Sequence, residues 1–388
     1  MATPLFTRGF IALSVSELGY FTAAGMAVFA LPLYVTGPHL AGDEVGAGLA
    51  VGIFAISALA LRPVAGRLTD TVGRRPLLLG GAMVATACFG LLPLTDSLAL
   101  VLVVRLLAGL GEAAFVVAGF AALADLAPPE RMGEALSYNS LGLYLGMALG
   151  PVLAEALVRA GGFTTVWVGA AGITALAAAV ASLVGETRVA AAPEEVAPGF
   201  IHRPALAVAL GFLASLAAMG GFIAFVSLYA TSLGLENASI ALFVFGGVVV
   251  LCRTLLARVP DRVPPLTLGA SSLGAIALGL MMAAAVRHPL GLLAGIVVMA
   301  VGVAFSTPAF FSAIFATATP SERGVASATA TAAIDLGLGI GPIALGLVAS
   351  GWGIPWAFAA GSAIAALGAV WILTLRQRAD QREVSSSS

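Results

Sequence analysis

Long apolar stretches, separated by short segments that carry most of the charges, recur along the whole chain. Each stretch has about twenty predominantly apolar residues, which is the length an α-helix needs to cross a hydrocarbon core about 30 Å thick. An outer-membrane barrel would instead show segments of about ten residues that alternate between apolar and polar positions. The pattern predicts an all-α membrane protein whose twelve spans lie near 9–36, 46–66, 77–95, 98–123, 135–158, 163–184, 203–230, 238–258, 266–286, 290–315, 323–350 and 354–375.

The composition agrees with lipid as the main solvent of the chain. Of its 388 residues, 60% are hydrophobic and only 10% are charged, which is too few charges to cover a water-soluble surface of this size. The net charge of −1 gives no reason to expect nucleic-acid binding, and the sparse histidines form no metal-ligand pattern. Cys88 and Cys252 lie inside predicted spans, where a free cysteine behaves as a small apolar residue. We therefore expect no disulfide, metal or cofactor.

The arginines predict the orientation of the chain, because cytoplasmic loops of membrane proteins retain basic residues. All 18 basic residues are arginine. If the N-terminus is inside, thirteen of them fall in cytoplasmic segments, three fall within spans, and only Arg159 and Arg287 fall outside. We expect both termini in the cytoplasm and the protein in a bacterial inner (cell) membrane.

Two halves of the sequence repeat one another. The segment RPVAGRLTD at 62–70 is followed 191 positions later by RTLLARVPD, and GMALGP at 146–151 is followed at the same separation by GLGIGP. LPLYVT at 31–36 is followed 195 positions later by VSLYAT. One separation for two distant pairs indicates an internal duplication, as found in many transporter folds. The sequence predicts two pseudo-symmetric six-helix bundles at 1–187 and 201–379, with a cytoplasmic linker at 188–200 and a disordered tail at 380–388.

The loop after the second span carries the most specific motif, GRLTDTVGRRP at 66–76. Its glycines permit a tight turn, and its aspartate offers a charge to an arginine or to a helix N-terminus. The loop resembles the signature G-x-x-x-D-x-x-G-R-[RK] of the major facilitator superfamily. The residues that fit are Gly66, Asp70, Gly73, Arg74 and Arg75.

Two further motifs place the resemblance with the twelve-helix, proton-coupled drug and metabolite exporters of that superfamily. In the fourth span, Arg105 is followed by glycines at 109 and 111, although Ala108 replaces the usual glutamine. In the fifth span, Gly146, Gly150 and Pro151 match the exporters' G-x-x-x-G-P motif. Ala154 and Glu155 stand where paired glycines are expected.

The resemblance implies roles for these residues. The motif loop would latch the two halves in the outward-facing state, although its arginines could instead simply fix the topology. Arg105 would take part in proton transfer, or alternatively form a structural ion pair between helices. Arg62 and Arg253 occupy equivalent repeat positions near cytoplasmic helix ends, where they could form a gate or extend to the membrane interface.

Four carboxylates within the spans are candidates for proton coupling. An acid inside the membrane is costly, so it usually faces a cavity or a partner. We expect Glu17, Glu112 and Asp335, together with Arg105, to serve coupling in a central cavity. Glu155 is four residues from Arg159, so we expect these two to form a structural pair. Residues expected to line the cavity are Tyr20, Tyr138, Asn139, Tyr144, Phe225 and Tyr229.

These observations favour a secondary active transporter and no enzyme. A mostly apolar cavity with scattered acids suits lipophilic or amphiphilic molecules better than sugars, whose hydroxyls need many polar partners. The leading hypothesis is a proton-coupled antiporter that exports a drug or secondary metabolite, which would connect it with multidrug resistance and efflux. The alternative is proton-linked or facilitated uptake of a nutrient. The expected partners are the small-molecule substrate, protons and the lipid bilayer, and we expect a monomer.

Overall fold

The computed structural model describes residues 5–128, 132–188, 202–318 and 323–387, and these ranges contain helices and no strand. Most of the predicted linker lies outside the described residues, and so does Arg131, one of the arginines predicted to be cytoplasmic. The helices are α1 Arg8–Thr36, α2 Glu44–Thr71, α3 Arg74–Leu91, α4 Leu98–Leu126, α5 Met132–Ala181, α6 Leu206–Ser232, α7 Ser239–Leu255, α8 Val259–Arg262, α9 Pro265–Ala285, α10 Pro289–Phe315, α11 Arg323–Trp352 and α12 Ile354–Ser387.

Polar caps fix the start of the first two helices. The side chain of Thr7 accepts a hydrogen bond from the Phe10 N–H at 3.2 Å. Asp43 accepts one from the Gly46 N–H at 2.8 Å. Such caps satisfy N–H groups that have no partner within the helix. Each of these two helices therefore begins directly after its polar cap residue.

Within the described residues, ten helices are long and apolar enough to cross a membrane. The predicted spans at 135–158 and 163–184 both lie in α5, where Gly161 and Gly162 have non-helical backbone angles. Gly162 has φ 74°, which glycine adopts without the steric penalty of a Cβ atom. The predicted span at 238–258 corresponds to the shorter α7, of 17 residues. Helix α12 continues through 380–387, where the sequence predicts a disordered tail.

The chain divides into two compact units, one formed by 1–193 with 237–246 and the other by 194–236 with 247–388. In the first unit, α1 packs mainly on α5, while α4 packs on α2 and α3. In the second, α6 packs on α11, while α9 packs on α10 and α12. Helix α7 contributes its first turns to the first unit and the remainder to the second.

Small residues allow a close helix contact in each unit. A Cβ atom added to Gly146 would lie 2.7 Å from the Thr22 nitrogen, and one added to Gly150 would collide with the Thr22 carbonyl. In the second unit, Gly337 and Gly341 meet Leu216 and Ala217 of α6 in the same way. Close backbone approach of this kind drives helix association in lipid, where the hydrophobic effect between helices is absent.

A buried tyrosine repeats the same contacts in each unit. The Tyr34 hydroxyl donates to the Leu92 carbonyl at 3.1 Å, and the ring packs edge-on against Trp167 at 5.6 Å. The Tyr229 hydroxyl donates to the Ala283 carbonyl at 3.2 Å, and its ring packs edge-on against Phe358 at 5.4 Å. Leu92 and Ala283 are 191 positions apart in the sequence, and so are Trp167 and Phe358. The duplication seen in the sequence is therefore also a duplication of packing.

Candidate functional site

Glu17 is a buried acid in the first half of α1, with only 6% of its surface exposed. One carboxylate oxygen, Oε2, accepts a hydrogen bond from the side-chain amide of Asn139 on α5 at 2.6 Å. Both residues line a small cavity whose other walls are apolar, formed by Phe21, Phe115, Val116, Phe120 and Leu143. The first unit therefore encloses one acid and one amide in an otherwise apolar setting.

The volume of this cavity is about 30 Å³. A buried water needs roughly 10–15 Å³ measured in this way, whereas drug-sized ligands occupy pockets of about 300–1,000 Å³. The cavity has room for one or two water molecules beside the carboxylate, and a drug-sized molecule does not fit there. It suits a proton site better than a substrate site.

A glycine on α4 provides the space for the carboxylate. A Cβ atom added at Gly119 would lie 2.7 Å from Oε1 of Glu17. Tyr20 lies one turn after Glu17 on α1. Its ring stacks on Phe115, which lies on α4 like Gly119, with ring centroids 4.1 Å apart and planes within 9°. Helix α4 therefore meets α1 with a glycine opposite the acid and an aromatic ring opposite the tyrosine.

Arg105 of α4 is also buried, and its contacts are with α2. Its Nε donates to the Ala50 carbonyl at 2.8 Å, and its guanidinium lies 4.3 Å from the centre of the Phe54 ring. A carbonyl and an aromatic face both stabilise a cation within the membrane. These two contacts stabilise the positive charge of Arg105 among the helices.

Glu112 forms an ion pair with Arg62 of α2, with an N–O distance of 3.5 Å. Both side chains are mostly buried, with 14% and 22% exposed. Glu112 lies seven residues after Arg105 on α4, but its ion pair is with Arg62 of the neighbouring helix α2. Arg62, Arg105 and Glu112 thus all lie along the contact between α2 and α4.

The motif loop between α2 and α3 is organised around an acid from elsewhere in the sequence. Oε1 and Oε2 of Glu186 accept hydrogen bonds from the backbone N–H groups of Arg74 and Arg75, at 3.0 and 3.2 Å. Gly73 has φ 121°, and a Cβ atom there would collide with the same carboxylate. The motif glycine is therefore required both for its backbone angle and for the space that Glu186 occupies.

Burial alone would raise the pKa of Glu186. This effect is outweighed by hydrogen bonds from the backbone N–H groups of Arg74, Arg188 and Arg75, and by the charge of Arg74. The pKa of Glu186 therefore lies below its ordinary value of 4.5. The carboxylate also lies at the N-terminus of α3, where the helix dipole favours a negative charge. Glu186 consequently stays ionised at physiological pH.

Arg74 connects this loop to α4. Its Nε lies 3.0 Å from Asp125, and its Nη1 lies 3.4 Å from Asp70 and 3.0 Å from the Thr69 carbonyl. Asp70 has 75% of its side chain exposed, so its pair with Arg74 is a surface pair of small energetic value. At the start of α3 it is Glu186, and not the motif aspartate, that accepts the backbone hydrogen bonds.

Glu155 forms the predicted pair with Arg159, at 3.1 Å. It also accepts hydrogen bonds from the backbone N–H groups of Ala238 and Ser239, at 3.1 and 3.0 Å. A carboxylate in this position caps the first turn of α7. This cap accounts for the grouping of 237–246 with the first unit.

Four of the remaining predicted site residues lie in the second unit. Asp335 is 4% exposed within α11, and Phe225 and Tyr229 are buried in α6. Tyr229 has the packing role described above. Arg253 near the end of α7 is partly buried, and in the first unit Tyr144 is partly buried while Tyr138 is 43% exposed with its ring against Phe6.

Three residues at these sites were missed by the sequence analysis: Gly119, Asp125 and Glu186. The positions of Asp125 and Glu186 could have indicated their role. Each is an acid just after a predicted span that ends beside arginines predicted to be cytoplasmic. Gly119 has no distinguishing signal in a chain with 47 glycines.

Comparison with known proteins agrees with this architecture. The family model of the Major Facilitator Superfamily matches residues 13–318 and 270–388. An uncharacterized MFS-type transporter of Burkholderia mallei (strain SAVP1) is 28% identical, with 94% of this chain and 93% of that protein covered. Another from Pseudomonas aeruginosa (strain LESB58) is 29% identical, with 88% of each covered.

A solved structure has the same fold. It is the bacterial homolog of the human lysosomal transporter Spinster, in an inward-facing and occupied conformation. The TM-score is 0.81 at 15% sequence identity, with 97% of this chain and 98% of that chain covered. Together with the family match, this likeness identifies a multi-pass membrane protein of a transporter fold. The chain belongs to the major facilitator superfamily, whose members are transporters of small molecules and not enzymes.

Proposed function

We propose that the protein is a proton-coupled antiporter that exports a lipophilic or amphiphilic small molecule by alternating access. Its twelve spans would cross a bacterial inner membrane with both termini in the cytoplasm, and it would act as a monomer. The observation that carries the proposal is the buried Glu17 carboxylate, which lies beside a cavity that has room for water and little more.

A proton-coupled carrier needs an acid that binds a proton when its cavity faces one side of the membrane and releases it on the other. A buried carboxylate holds its proton more readily than a hydrated one, so changes in hydration around the acid can load and unload it. Glu17 meets this requirement, because its surroundings are apolar apart from Asn139 and the water-sized cavity. Glu112 is a weaker candidate, since it is already paired with Arg62.

Transport in inverted membrane vesicles tests the proposal. With ethidium as the first probe of a panel of amphiphilic dyes, we expect the dye to accumulate only when the vesicle interior is acidic. Collapse of the pH gradient should abolish accumulation, and so should Glu17→Gln. Asp96→Asn is the matched control, because Asp96 is an exposed acid of the same unit and its neutralisation should change nothing.

Two results would contradict the proposal. Accumulation of dye that is indifferent to the pH gradient would exclude proton coupling. A rate in Glu17→Gln equal to that of the unmodified protein would exclude Glu17 as the coupling acid. Direction is tested separately, since cells that lack an exporter become more sensitive to a toxic substrate, whereas cells that lack an importer accumulate less of it.

A further inference from the structure

The amide of Asn139 has an oxygen whose hydrogen-bonding capacity is unused. Asn139 is only 3% exposed, and within the described part of the chain its Oδ1 atom has no hydrogen-bond partner. Leaving a buried acceptor unpaired costs about 1–3 kcal/mol. The residue also lines the water-sized cavity beside Glu17. A buried amide oxygen that no protein group donates to, this close to an acid, can accept a hydrogen bond from that acid when it is protonated.

The two protonation states of Glu17 require opposite partners. An ionised carboxylate only accepts hydrogen bonds, whereas a protonated one has an O–H group that must donate. In the structure the amide nitrogen of Asn139 donates to Oε2 at 2.6 Å, which is the arrangement that an ionised acid requires. The free Oδ1 of the same amide is the acceptor that a protonated acid requires.

We propose that Asn139 is a positioning residue that serves both states: it donates through Nδ2 to ionised Glu17 and accepts through Oδ1 from protonated Glu17. Binding of a proton then turns the amide about its side-chain bond and changes the link between α1 and α5. This inference rests on the proposed proton coupling at Glu17.

The other ionisable groups of the packed helices do not replace this partner. Arg105 and Glu112 of α4 contact Ala50 and Arg62 of α2. Tyr20 of α1 stacks on Phe115. Cys88 of α3 is buried, and the Tyr138 ring of α5 packs against Phe6. Among the described residues, the hydrogen-bond partner of the Glu17 carboxylate is Asn139.

The link lies at a sensitive place. Three and seven residues after Asn139, at Gly142 and Gly146, α5 faces α1, and from Gly142 to Gly150 the two backbones are in near contact. Ser16, next to Glu17, donates to the Ala177 carbonyl of the same helix α5 at 2.9 Å. A change of hydrogen bonding at Asn139 is therefore applied directly to this close contact between α1 and α5.

Infrared difference spectra between acid and alkaline pH test the inference on the purified, full-length protein in lipid. The C=O band of protonated Glu17 is identified by its loss in Glu17→Gln. We expect it to be accompanied by a side-chain amide band that is lost in Asn139→Leu. In that variant the acid band should move to higher frequency, and its midpoint should rise by about one pH unit, because the hydrogen bond that the ionised acid loses is stronger than the one that the protonated acid loses.

Asn139→Asp is a second variant of nearly the same size. Two adjacent acids cannot both ionise easily, so the single acid band should become a two-step titration. Ser16→Ala is the control, and it should leave the acid band and its midpoint unchanged.

The outcomes separate the two proposals. If the Glu17 band is present but is the same in both Asn139 variants, the inference is wrong and proton coupling at Glu17 stands. If no band depends on Glu17, both are wrong. If the bands respond to Asn139 as expected while dye transport ignores the pH gradient, the inference stands and the proposed function is wrong.

Discussion

Glu17 is accommodated in α1 because the residue opposite it on α4 is Gly119. With any larger residue at that position, the carboxylate would have to shift, since the space of a Cβ atom lies 2.7 Å from Oε1. An acid and the glycine that leaves space for it are therefore in direct contact, although they are far apart in the sequence.

Gly119→Ala should weaken coupling without changing any ionisable group. The added methyl group displaces the carboxylate and weakens its hydrogen bond to Asn139, so we expect pH-driven dye transport to fall by about tenfold or more. Gly90→Ala on α3 is the matched control, because open space surrounds that glycine and alanine favours the helix. Equal transport in the two variants would mean that the position of Glu17 is not critical.

Glu186→Gln should destabilise the motif loop. The negative charge at the start of α3 is worth about 0.3–1 kcal/mol at an exposed site, so we expect a small fall in the thermal unfolding temperature, measured in detergent by tryptophan fluorescence. Asp70→Asn removes the exposed acid of the motif and should have a smaller effect. A larger effect from Asp70→Asn would contradict the assignment of Glu186 as the loop's main acceptor.

The pH dependence of this difference has a definite sign. The pKa of Glu186 in the folded protein lies below its ordinary value of 4.5, so its contribution to stability is complete above about pH 4.5 and is lost as the pH falls through the lowered value. The difference between the unmodified protein and Glu186→Gln should therefore be constant near neutral pH and should vanish in acid. A difference that grew in acid would contradict it.

Single residues differ in how well the sequence reveals them. Glu17 could be selected because an acid in an apolar span is costly wherever its partner lies. The partnership of Glu186 with Arg74 and Arg75 could not, because it joins positions more than a hundred residues apart. A contact across that distance depends on helix packing, which the order of residues along the chain does not specify.

Among the helices, the repeated contacts show which part of the sequence specifies the fold. Spans and glycine motifs could be predicted from length, apolarity and internal repetition. The sequence predicts two spans, at 135–158 and 163–184, and the break at Gly161 and Gly162 divides that segment into two helices. Glycine permits such a break because it lacks a Cβ atom. The equivalent contacts of Tyr34 and Tyr229 explain why LPLYVT and VSLYAT resemble each other: each places a hydroxyl against a carbonyl in its own unit.

Equivalent glycines should respond equally in the two units. Gly150→Leu should force α5 away from α1, and Gly341→Leu should force α11 away from α6. The atoms close to each glycine belong to the backbone and cannot move aside. Overpacking of this kind costs about 1–3 kcal/mol. We expect each variant to lower the thermal unfolding temperature. Gly172→Leu and Gly274→Leu, at positions open to the surroundings, are the controls. A fall in only one of the two test variants would show that the packing of the units is not equivalent.

The molecule as a whole exposes apolar side chains along its helices. Leu94, Leu183, Leu290 and Leu367 are each more than 70% exposed, which is costly in water and favourable in lipid. Such a surface specifies a membrane protein but does not specify which side of it faces the cytoplasm. The orientation depends on the arginines, whose distribution is uneven between the two sides.

Labelling of introduced cysteines tests the predicted orientation. The native Cys88 and Cys252 are buried, so variants that lack them should retain the fold. Arg287→Cys and Arg67→Cys then place single thiols at exposed positions on opposite predicted sides. A membrane-impermeant maleimide should label position 287 in right-side-out vesicles and position 67 in inverted vesicles, because basic loops are retained in the cytoplasm. Both positions should react after detergent treatment. The reverse pattern would place the termini outside, and a proton entering from that side would then meet the face of the protein that carries the motif loop.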